Sequence, residues 1–311
     1  MRRLICRISR IANKIMGVLS VSIPAKVNLH LQVVGRRSDG FHELRTVFQS
    51  VDLRDRLTAQ VAGAGILDLE LEPEAVLPRE CDNLVLQAAR ALWKRVDRSP
   101  GVRLRLEKRI PVGGGMGGGS ADAAAALVLL DRLWDLQIHP AELLAIASDL
   151  GSDVPFFLYG GLAFGMGRGE KILPLDDLEP TAVLILVPSV EISTAEVFSR
   201  VSAKGSWAPT EDTVYAGLEE KPPKIDWAAL GNDLAGPVCA GWPEVDEALR
   251  SLRDLRPLMA DVTGSGSAVF AVFSGLEEAR AAARELRGKW RVEVVRTLGR
   301  TEARPRVEKL K

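Results

Sequence analysis

Residues 111–126 read PVGGGMGGGSADAAAA and constrain the chain more than any other stretch. Six of the seven residues 113–119 are glycines, and glycine loses more backbone entropy on ordering than any other residue. Close approach of backbone N–H groups to a bulky anion explains this density. A helix predicted to begin near Ser120 would add free N–H groups and the positive end of its dipole. The stretch therefore predicts a phosphate-binding loop, and a flexible turn between a strand and a helix is the alternative.

Two common kinds of phosphate loop do not fit this stretch. A Walker loop carries a lysine directly after its last glycine, whereas Ser-Ala-Asp follows Gly119. The dinucleotide pattern GxGxxG can be placed on residues 113–118, but it requires a βαβ unit with an acidic residue about 20 positions further on. One long helical pattern follows here instead. The loop therefore belongs to another type.

The loop resembles the second motif of the galactokinase, homoserine kinase, mevalonate kinase and phosphomevalonate kinase (GHMP) superfamily, roughly P-x-x-x-G-L-G-S-S-A. Its triple-glycine form is similar to that of the 4-diphosphocytidyl-2-C-methyl-D-erythritol kinase family within this superfamily. Met116 stands where leucine is usual, and Gly118 and Gly119 stand where the wider superfamily has serines. Any magnesium ligand carried over from those serines is therefore missing.

Three further motifs support the resemblance, which covers roughly residues 22–300. PAKVNLHL, with Lys26 and Asn28, matches the first motif P-A-K-x-N-L, and GRRSDGFHEL matches G-x-R-x-D-G-Y/F-H-x-L. GSDVPFF matches G-x-D-V/I-P-F-F, in which the aspartate, here Asp153, is catalytic. On its own, Asp153 would be read as the cap of a short helix that Pro155 opens.

The resemblance implies roles for individual residues. Asp153 would take the proton of the acceptor hydroxyl, and Lys26 would orient Asp153 and offset developing charge. The ATP phosphates would be held by Pro111, Gly113, Gly114, Gly115, Met116, Gly117, Gly118, Gly119 and Ser120, with Asn83 and Lys108 on the adenine side. The acceptor would be bound by Asn28, Phe41, His42, Asp153, Thr194, Phe198, Gly264 and Ser265.

The periodicity predicts an α+β protein with two domains. Residues 27–33 alternate apolar and polar side chains, which indicates a half-buried strand with Lys26, Asn28 and His30 on its polar face. We expect a mobile, dispensable arm at 1–16, an α/β ATP-binding domain at 17–178, a ferredoxin-like domain at 179–300 and a mobile charged tail at 301–311.

Composition limits the partners. The 41 basic and 41 acidic residues cancel, so no overall field attracts nucleic acid or an anionic membrane. The three cysteines show no ligand spacing and no disulfide framework, and no apolar run has the length of a membrane span. These features predict a cytoplasmic protein, a monomer or weak homodimer with small-molecule substrates. The resemblance adds ATP, with Mg²⁺ brought by the nucleotide rather than held in a protein metal site.

The activity implied by the resemblance is ATP-dependent phosphorylation of the 2-hydroxyl of 4-diphosphocytidyl-2-C-methyl-D-erythritol, in the non-mevalonate route to isoprenoid precursors. Two alternatives stay open. A GHMP kinase acting on homoserine or mevalonate would explain the glycine loop and Asp153 but not the Phe41-His42 turn. A non-catalytic sensor with the same fold would be expected to lack the base or the lysine, and both are present.

Overall fold

The computed structural model describes residues 17–73, 83–96, 100–201, 217–218, 220–221 and 223–310. The predicted arm at 1–16 and most of the polar segment 203–224 lie outside the described residues. No helix within the described ranges is long and apolar enough to cross a bilayer.

A seven-stranded sheet forms the first domain. Its strands are β1 Leu19–Arg36, β2 His42–Ala62, β3 Leu67–Glu72, β4 Gly101–Glu107, β5 Leu162–Gly167, β6 Lys171–Pro174 and β11 Val307–Lys309. The order is β11-β1-β2-β4-β3, with β5 paired to β2 and β6 to β5. All of these pairs are antiparallel except β3 with β4. The glycine-rich pattern of residues 160–175 predicts a hairpin, and β5 and β6 form it.

Four helices belong to this domain: α1 Leu84–Trp93, α2 Gly118–Trp134, α3 Pro140–Leu150 and α4 Val154–Tyr159. The run of small residues 121–126 is buried throughout, so α2 lies inside the core. A helix buried on all sides needs apolar residues around its whole circumference, and the alanine-rich sequence supplies them. This places the start of α2, and with it the glycine loop, at a fixed point of the core.

The second sheet contains β7 Ala182–Val187, β8 Met259–Val262, β9 Val269–Phe273 and β10 Arg291–Arg296, in the antiparallel order β10-β7-β9-β8. Its helices are α5 Thr194–Arg200, α6 Ala235–Gly241, α7 Pro243–Asp254 and α8 Leu276–Glu285, with α9 Arg300–Ala303 leading back to the first domain. A short 3-10 helix spans Trp227–Ala229. The strand order and the crossing helices are those of a ferredoxin-like sandwich, so the predicted α+β class is confirmed.

Strand β1 differs from its prediction, because both of its faces are buried rather than one. Lys26, Asn28 and His30 are as inaccessible as the apolar residues between them. The second domain and the glycine loop cover the polar face. The backbone N–H of Lys26 donates to the carbonyl of Met116 at 3.1 Å, and that of Asn28 donates to Thr263 Oγ1 at 3.1 Å. The polar face of β1 is therefore an interior surface of the molecule.

The C-terminal residues also differ from the prediction of a mobile tail. Strand β11 pairs with the free edge of β1, with Lys309 opposite Leu19 and Val307 opposite Val21. The N–H of Leu310 donates to the carbonyl of Val18 at 2.8 Å. An exposed strand edge offers unpaired N–H and C=O groups, and β11 satisfies them here. The last described strand thus pairs with the first one.

Candidate active site

The glycine loop adopts a conformation that suits glycine. Gly113, Gly115 and Gly117 have φ values of 71°, 70° and 72°, in the left-handed region. Helix α2 begins at Gly118, two residues earlier than predicted, and its first intrahelical bond joins the N–H of Ala121 to the carbonyl of Gly117. The three N–H groups of residues 118–120 therefore have no intrahelical acceptor, which makes this turn suitable for binding an anion.

One side of the loop packs against the protein and the other side is open. A Cβ atom at Gly115 would lie 2.1 Å from the carbonyl oxygen of Thr263, and one at Gly117 would lie 2.7 Å from the Phe157 ring. A Cβ atom at Gly113 would meet nothing within 4 Å. The N–H of Ser267 also donates to the Gly113 carbonyl at 3.2 Å. The loop thus joins the two domains on its inner side and leaves room for phosphate on its outer side.

Lys26 connects the loop to Asp153. Its ammonium donates to Asn28 Oδ1 at 2.5 Å and to the Gly115 carbonyl at 2.9 Å, and it lies 3.4 Å from Asp153 Oδ2. The Lys26 side chain is 3% exposed and that of Asp153 is 31% exposed. Two of the three N–H donors of the ammonium are thus used in hydrogen bonds, and the third side of the cation faces the Asp153 carboxylate. The cation is therefore fixed, while the carboxylate stays accessible to a substrate.

Asp153 does not act as a helix cap. It precedes α4, but its side chain makes no capping hydrogen bond. The alternative interpretation of Asp153 as a structural cap is thus not supported, and the carboxylate is directed toward Lys26 instead.

A buried polar network supports Asn28 beside Lys26. Asn28 Nδ2 donates to Thr46 Oγ1 at 2.8 Å, and Thr46 Oγ1 donates to the His30 carbonyl at 2.7 Å. Gly264 adjoins this network, since a Cβ atom there would lie 3.4 Å from both Asn28 Oδ1 and Lys26 Nζ. No sequence pattern pointed to Thr46, which lies on β2, whereas the motif that contains Lys26 and Asn28 lies on β1.

The predicted acceptor residues form a second group at the domain boundary. The ring of His42, at the start of β2, stacks on the ring of Phe198 in α5, with centroids 5.0 Å apart. Phe41 is 52% exposed, and the guanidinium of Arg168 lies 4.9 Å from its ring centroid. Arg168 was not predicted from the sequence.

Two further acceptor candidates meet across the same boundary. Thr194 Oγ1 and Ser265 Oγ are 2.8 Å apart and hydrogen bonded. Ser193 and Glu196 have the spacing of a capping box, which predicts a helix start, and Ser193 Oγ caps α5 by accepting from the N–H of Glu196. The cap fixes the first turn of α5 and thus the position of Thr194.

Asn83 and Lys108, predicted on the adenine side, are occupied by structural contacts. Asn83 Oδ1 caps α1 by accepting from the N–H of Val85 at 2.9 Å. The ammonium of Lys108 is buried between the carboxylates of Asp55 and Asp122, and it donates to Asp122 Oδ2 at 2.7 Å. We call Asp55, Lys108 and Asp122 the ion cluster.

The charged groups of the ion cluster shift the pKa values of Asp122 and Lys108. Burial raises the pKa of Asp122 to about 8, and the neighbouring Asp55 carboxylate adds to this rise while Lys108 opposes it. Burial alone would lower the pKa of Lys108, but the charges of Asp122 and Asp55 raise it. Asp55 was not predicted as a site residue, although its position in the alternating pattern of β2 was a signal. It occupies a position whose neighbours two residues away, Leu53 and Leu57, face the core.

Comparison with known proteins defines the class first. The GHMP kinases N terminal domain matches residues 83–161, and the GHMP kinases C terminal domain matches residues 242–292. A crystal structure of homoserine kinase from Cytophaga hutchinsonii is similar with a TM-score of 0.72 and 17% identity, covering 94% of this chain and 98% of that one. At that identity the likeness shows the shared fold. The chain is a kinase with the two-domain GHMP architecture.

Closer relatives define the family. The 4-diphosphocytidyl-2-C-methyl-D-erythritol kinase of Nitrosospira multiformis is 44% identical over 265 residues, covering 85% of this chain and 86% of the relative. A crystal structure of 4-(cytidine 5'-diphospho)-2C-methyl-D-erythritol kinase is similar with a TM-score of 0.75 and 35% sequence identity. The match covers 90% of this chain and 99% of that one. The chain belongs to the 4-diphosphocytidyl-2-C-methyl-D-erythritol kinase family. The resemblance inferred from the four motifs is thereby confirmed.

Proposed function

We propose that this chain transfers the γ-phosphoryl group of ATP to the 2-hydroxyl of 4-diphosphocytidyl-2-C-methyl-D-erythritol, a step of the non-mevalonate route to isoprenoid precursors. One observation carries the proposal. In a chain of this family, the buried Lys26 ammonium joins the Gly115 carbonyl of the phosphate loop to the accessible carboxylate of Asp153. A phosphate site and a base are thus held at one point, as phosphoryl transfer requires.

The ATP phosphates bind on the open side of the glycine loop in this proposal. The N–H groups of Gly118, Gly119 and Ser120 lack intrahelical acceptors and lie at the positive end of the α2 dipole. Among the described residues no group of three or more His, Cys, Asp or Glu side chains could hold a metal ion. We propose that Mg²⁺ arrives on the nucleotide, keeps several waters and neutralises phosphate charge.

Asp153 accepts the proton of the acceptor hydroxyl as the phosphoryl group arrives. Its exposed carboxylate can come within hydrogen-bond distance of a substrate, and Lys26 restrains its orientation from the buried side. The acceptor is a tertiary alcohol, which is crowded and weakly nucleophilic. Because the cation stabilises the carboxylate, proton transfer comes late, and positioning contributes more than basicity.

The acceptor's cytosine is recognised at the domain boundary. Aromatic rings offer stacking faces, and an imidazole offers a partner for the polar edge of the base. Phe41, His42 and Phe198 provide these groups on adjoining elements of both domains. The remaining acceptor residues proposed here are Asn28, Thr194, Gly264 and Ser265. The cytoplasm is the compartment we propose for the reaction.

The two alternatives are disfavoured by particular residues. A homoserine or mevalonate kinase has no use for the Phe41, His42 and Phe198 group, and the likeness to homoserine kinase extends to the fold alone. A sensor would not need the Lys26 and Asp153 pair, which the structure holds in contact.

A coupled assay of ADP release tests the proposal. The purified chain is supplied with ATP, Mg²⁺ and one acceptor at a time: cytidine-diphospho-methylerythritol, homoserine or mevalonate. We expect turnover with the cytidine compound and only background ADP release with the other two. Turnover with homoserine or mevalonate alone would contradict the proposed acceptor, and ADP release with none of the three would favour a sensor.

A further inference from the structure

The ion cluster lies directly beneath the phosphate loop, and three segments meet in it. Asp55 comes from the middle of β2, Lys108 follows β4, and Asp122 is in the second turn of α2. All three side chains are buried, with Asp55 completely inaccessible. Burial of charges without partners is strongly unfavourable, so the three segments are held where the charges can pair.

Asp55 fixes the segment that leads into the loop. Its Oδ1 accepts from the N–H of Arg109 at 2.5 Å and from that of Ile110 at 2.8 Å, while its Oδ2 accepts from Lys108. One carboxylate thus determines the backbone position of the residues just before Pro111. Such charge-assisted hydrogen bonds are the stronger kind in proteins.

Lys108 fixes the other end of the loop. A Cβ atom at Gly118 would lie 3.1 Å from Lys108 Nζ and 3.0 Å from Ile110 Cγ2, so the first residue of α2 rests on these two side chains. Lys108 also donates to Asp122 within the same helix. The N–H groups proposed to bind phosphate therefore belong to a helical turn that packs against the ion cluster.

We propose that Asp55, Lys108 and Asp122 are positioning residues that set where the first turn of α2 lies against the glycine loop, and thereby how tightly the ATP phosphates bind. Lys108 acts through the backbone rather than by touching ATP with its ammonium, whose donors are directed to the two carboxylates. The inference rests on the proposed function, because it takes ATP as the ligand of the loop.

The cluster contains one cation and two carboxyls. When one carboxyl is protonated the cluster is neutral, and when both are ionised it carries one negative charge beneath an anion site. The charged groups that act most strongly on the Asp122 carboxyl are Lys108, from the segment after β4, and Asp55, from β2. Since burial raises the pKa of Asp122 to about 8, ATP binding should weaken above that pH.

Removing the cation should weaken ATP binding selectively. Lys108→Met alone leaves two unpaired buried carboxyls and could fail to fold, so it is combined with Asp122→Asn, which removes one of them. We expect the double variant to show a Kd for a non-hydrolysable ATP analogue raised by about tenfold or more, with the acceptor KM changed less than twofold. Arg105→Met, which removes the exposed ion pair between Arg105 on β4 and Glu72 on β3, is the matched control and should leave both values unchanged.

The pH profile separates positioning from a merely structural role. We expect the Kd of the ATP analogue to rise above about pH 8 in the unsubstituted protein, whereas in Asp122→Asn the Kd should be independent of pH over the same range, whatever its value at neutral pH. Calorimetric binding is used because it needs no acceptor, so failure of the proposed acceptor would appear separately as missing ADP release. An unchanged Kd in a folded double variant, or the same alkaline rise in Asp122→Asn, would overturn the proposal.

Discussion

The proposed phosphate side and the proposed acceptor side of this site are built differently. On the phosphate side Lys26 is 3% exposed, and buried side chains and backbone carbonyls hold it. On the acceptor side Phe41 is 52% exposed, and the guanidinium of Arg168 lies 4.9 Å from its ring centroid. His42 and Phe198 stack on each other across the domain boundary. The contrast indicates that packing within the fold positions the proposed phosphate-binding groups. The proposed acceptor-binding groups are less fixed by packing, and binding of the acceptor would complete their arrangement.

The largest expected effect comes from Asp153→Asn, at the point where the two sides meet. The amide keeps the shape of the side chain and removes the proposed base. Loss of a general base lowers kcat by on the order of 10²–10⁴-fold. Because Asp153 makes no capping hydrogen bond, the variant should still fold, and any fall in melting temperature should come from the lost ion pair with Lys26. Steady-state kinetics with thermal melts test this, and near-normal kcat in a normally melting variant would show that Asp153 is not the base.

The next effect tests whether the phosphate side is rigidly packed, by comparing two glycines with the same backbone conformation. Gly113 and Gly115 have φ values of 71° and 70°, so alanine adds a similar strain of about 1 kcal/mol at each. A Cβ atom at Gly115 lies 2.1 Å from the Thr263 carbonyl, while one at Gly113 meets nothing within 4 Å. We expect Gly115→Ala to lower the melting temperature much more than Gly113→Ala. Equal losses would mean that the contact between loop and second domain is loose.

Phe41→Ala tests the acceptor side and should have a smaller effect. The loss of one stacking face should raise the acceptor KM by about tenfold, corresponding to roughly 1.4 kcal/mol, and leave the ATP KM nearly unchanged. Leu173→Ala, at a similarly exposed apolar residue on β6, is the control. Initial rates at varied concentrations of each substrate give both constants. Parallel damage to both KM values would point to a folding defect.

The last effect is on stability rather than on catalysis, and it concerns the contact between β1 and the second domain. His30 Nδ1 accepts from the N–H of Gly231 at 3.3 Å, and burial lowers the pKa of His30 to about 4. Above pH 6.5 the imidazole is neutral in both states, so its contribution to stability is fully present. As pH falls from 6.5 toward 4, the unfolded chain gains a proton that the folded chain does not, and stability is lost.

The His30 prediction is best measured as a difference between variants. Burial raises the pKa of Asp261 to about 6, which produces the opposite slope between roughly pH 4 and 6. His30→Gln removes one contribution and leaves the other. Relative to this variant, the unsubstituted protein should lose roughly 2 kcal/mol of unfolding free energy between pH 7.5 and 5. Denaturant titrations of both proteins at the two pH values measure these unfolding free energies. The same change with pH in both proteins would contradict the lowered pKa of His30.

Features fixed by local sequence could be predicted. Residues 160–175 form the hairpin that their glycine-rich pattern predicts, and Ser193 caps α5 as its spacing from Glu196 predicts. Each depends on turn chemistry, capping or periodicity within a short window. The family motifs name Lys26 and Asp153 as a pair, and the structure places their side chains 3.4 Å apart, while their catalytic roles stay a prediction.

Features that depend on distant pairing could not be predicted. Burial of the polar face of β1 requires the turn at Thr263, more than 200 positions away. Pairing of β11 with β1 joins the two ends of the described chain. The ion cluster needs three separated segments, and alternation in β2 shows only that Asp55 shares a face with Leu53 and Leu57. Periodicity identifies a face but not the element that covers it.

The most direct test of the central claim is a double-mutant cycle on Lys26 and Asp153. The claim is that these two residues act as one unit between the phosphate loop and the acceptor, as their 3.4 Å separation implies. kcat is measured for Lys26→Met, Asp153→Asn and the double variant, with melting temperatures recorded for all three. The account predicts that the double variant loses far less activity than the product of the two single losses. A loss equal to that product, in proteins that melt normally, would show that the residues act independently and would contradict the account.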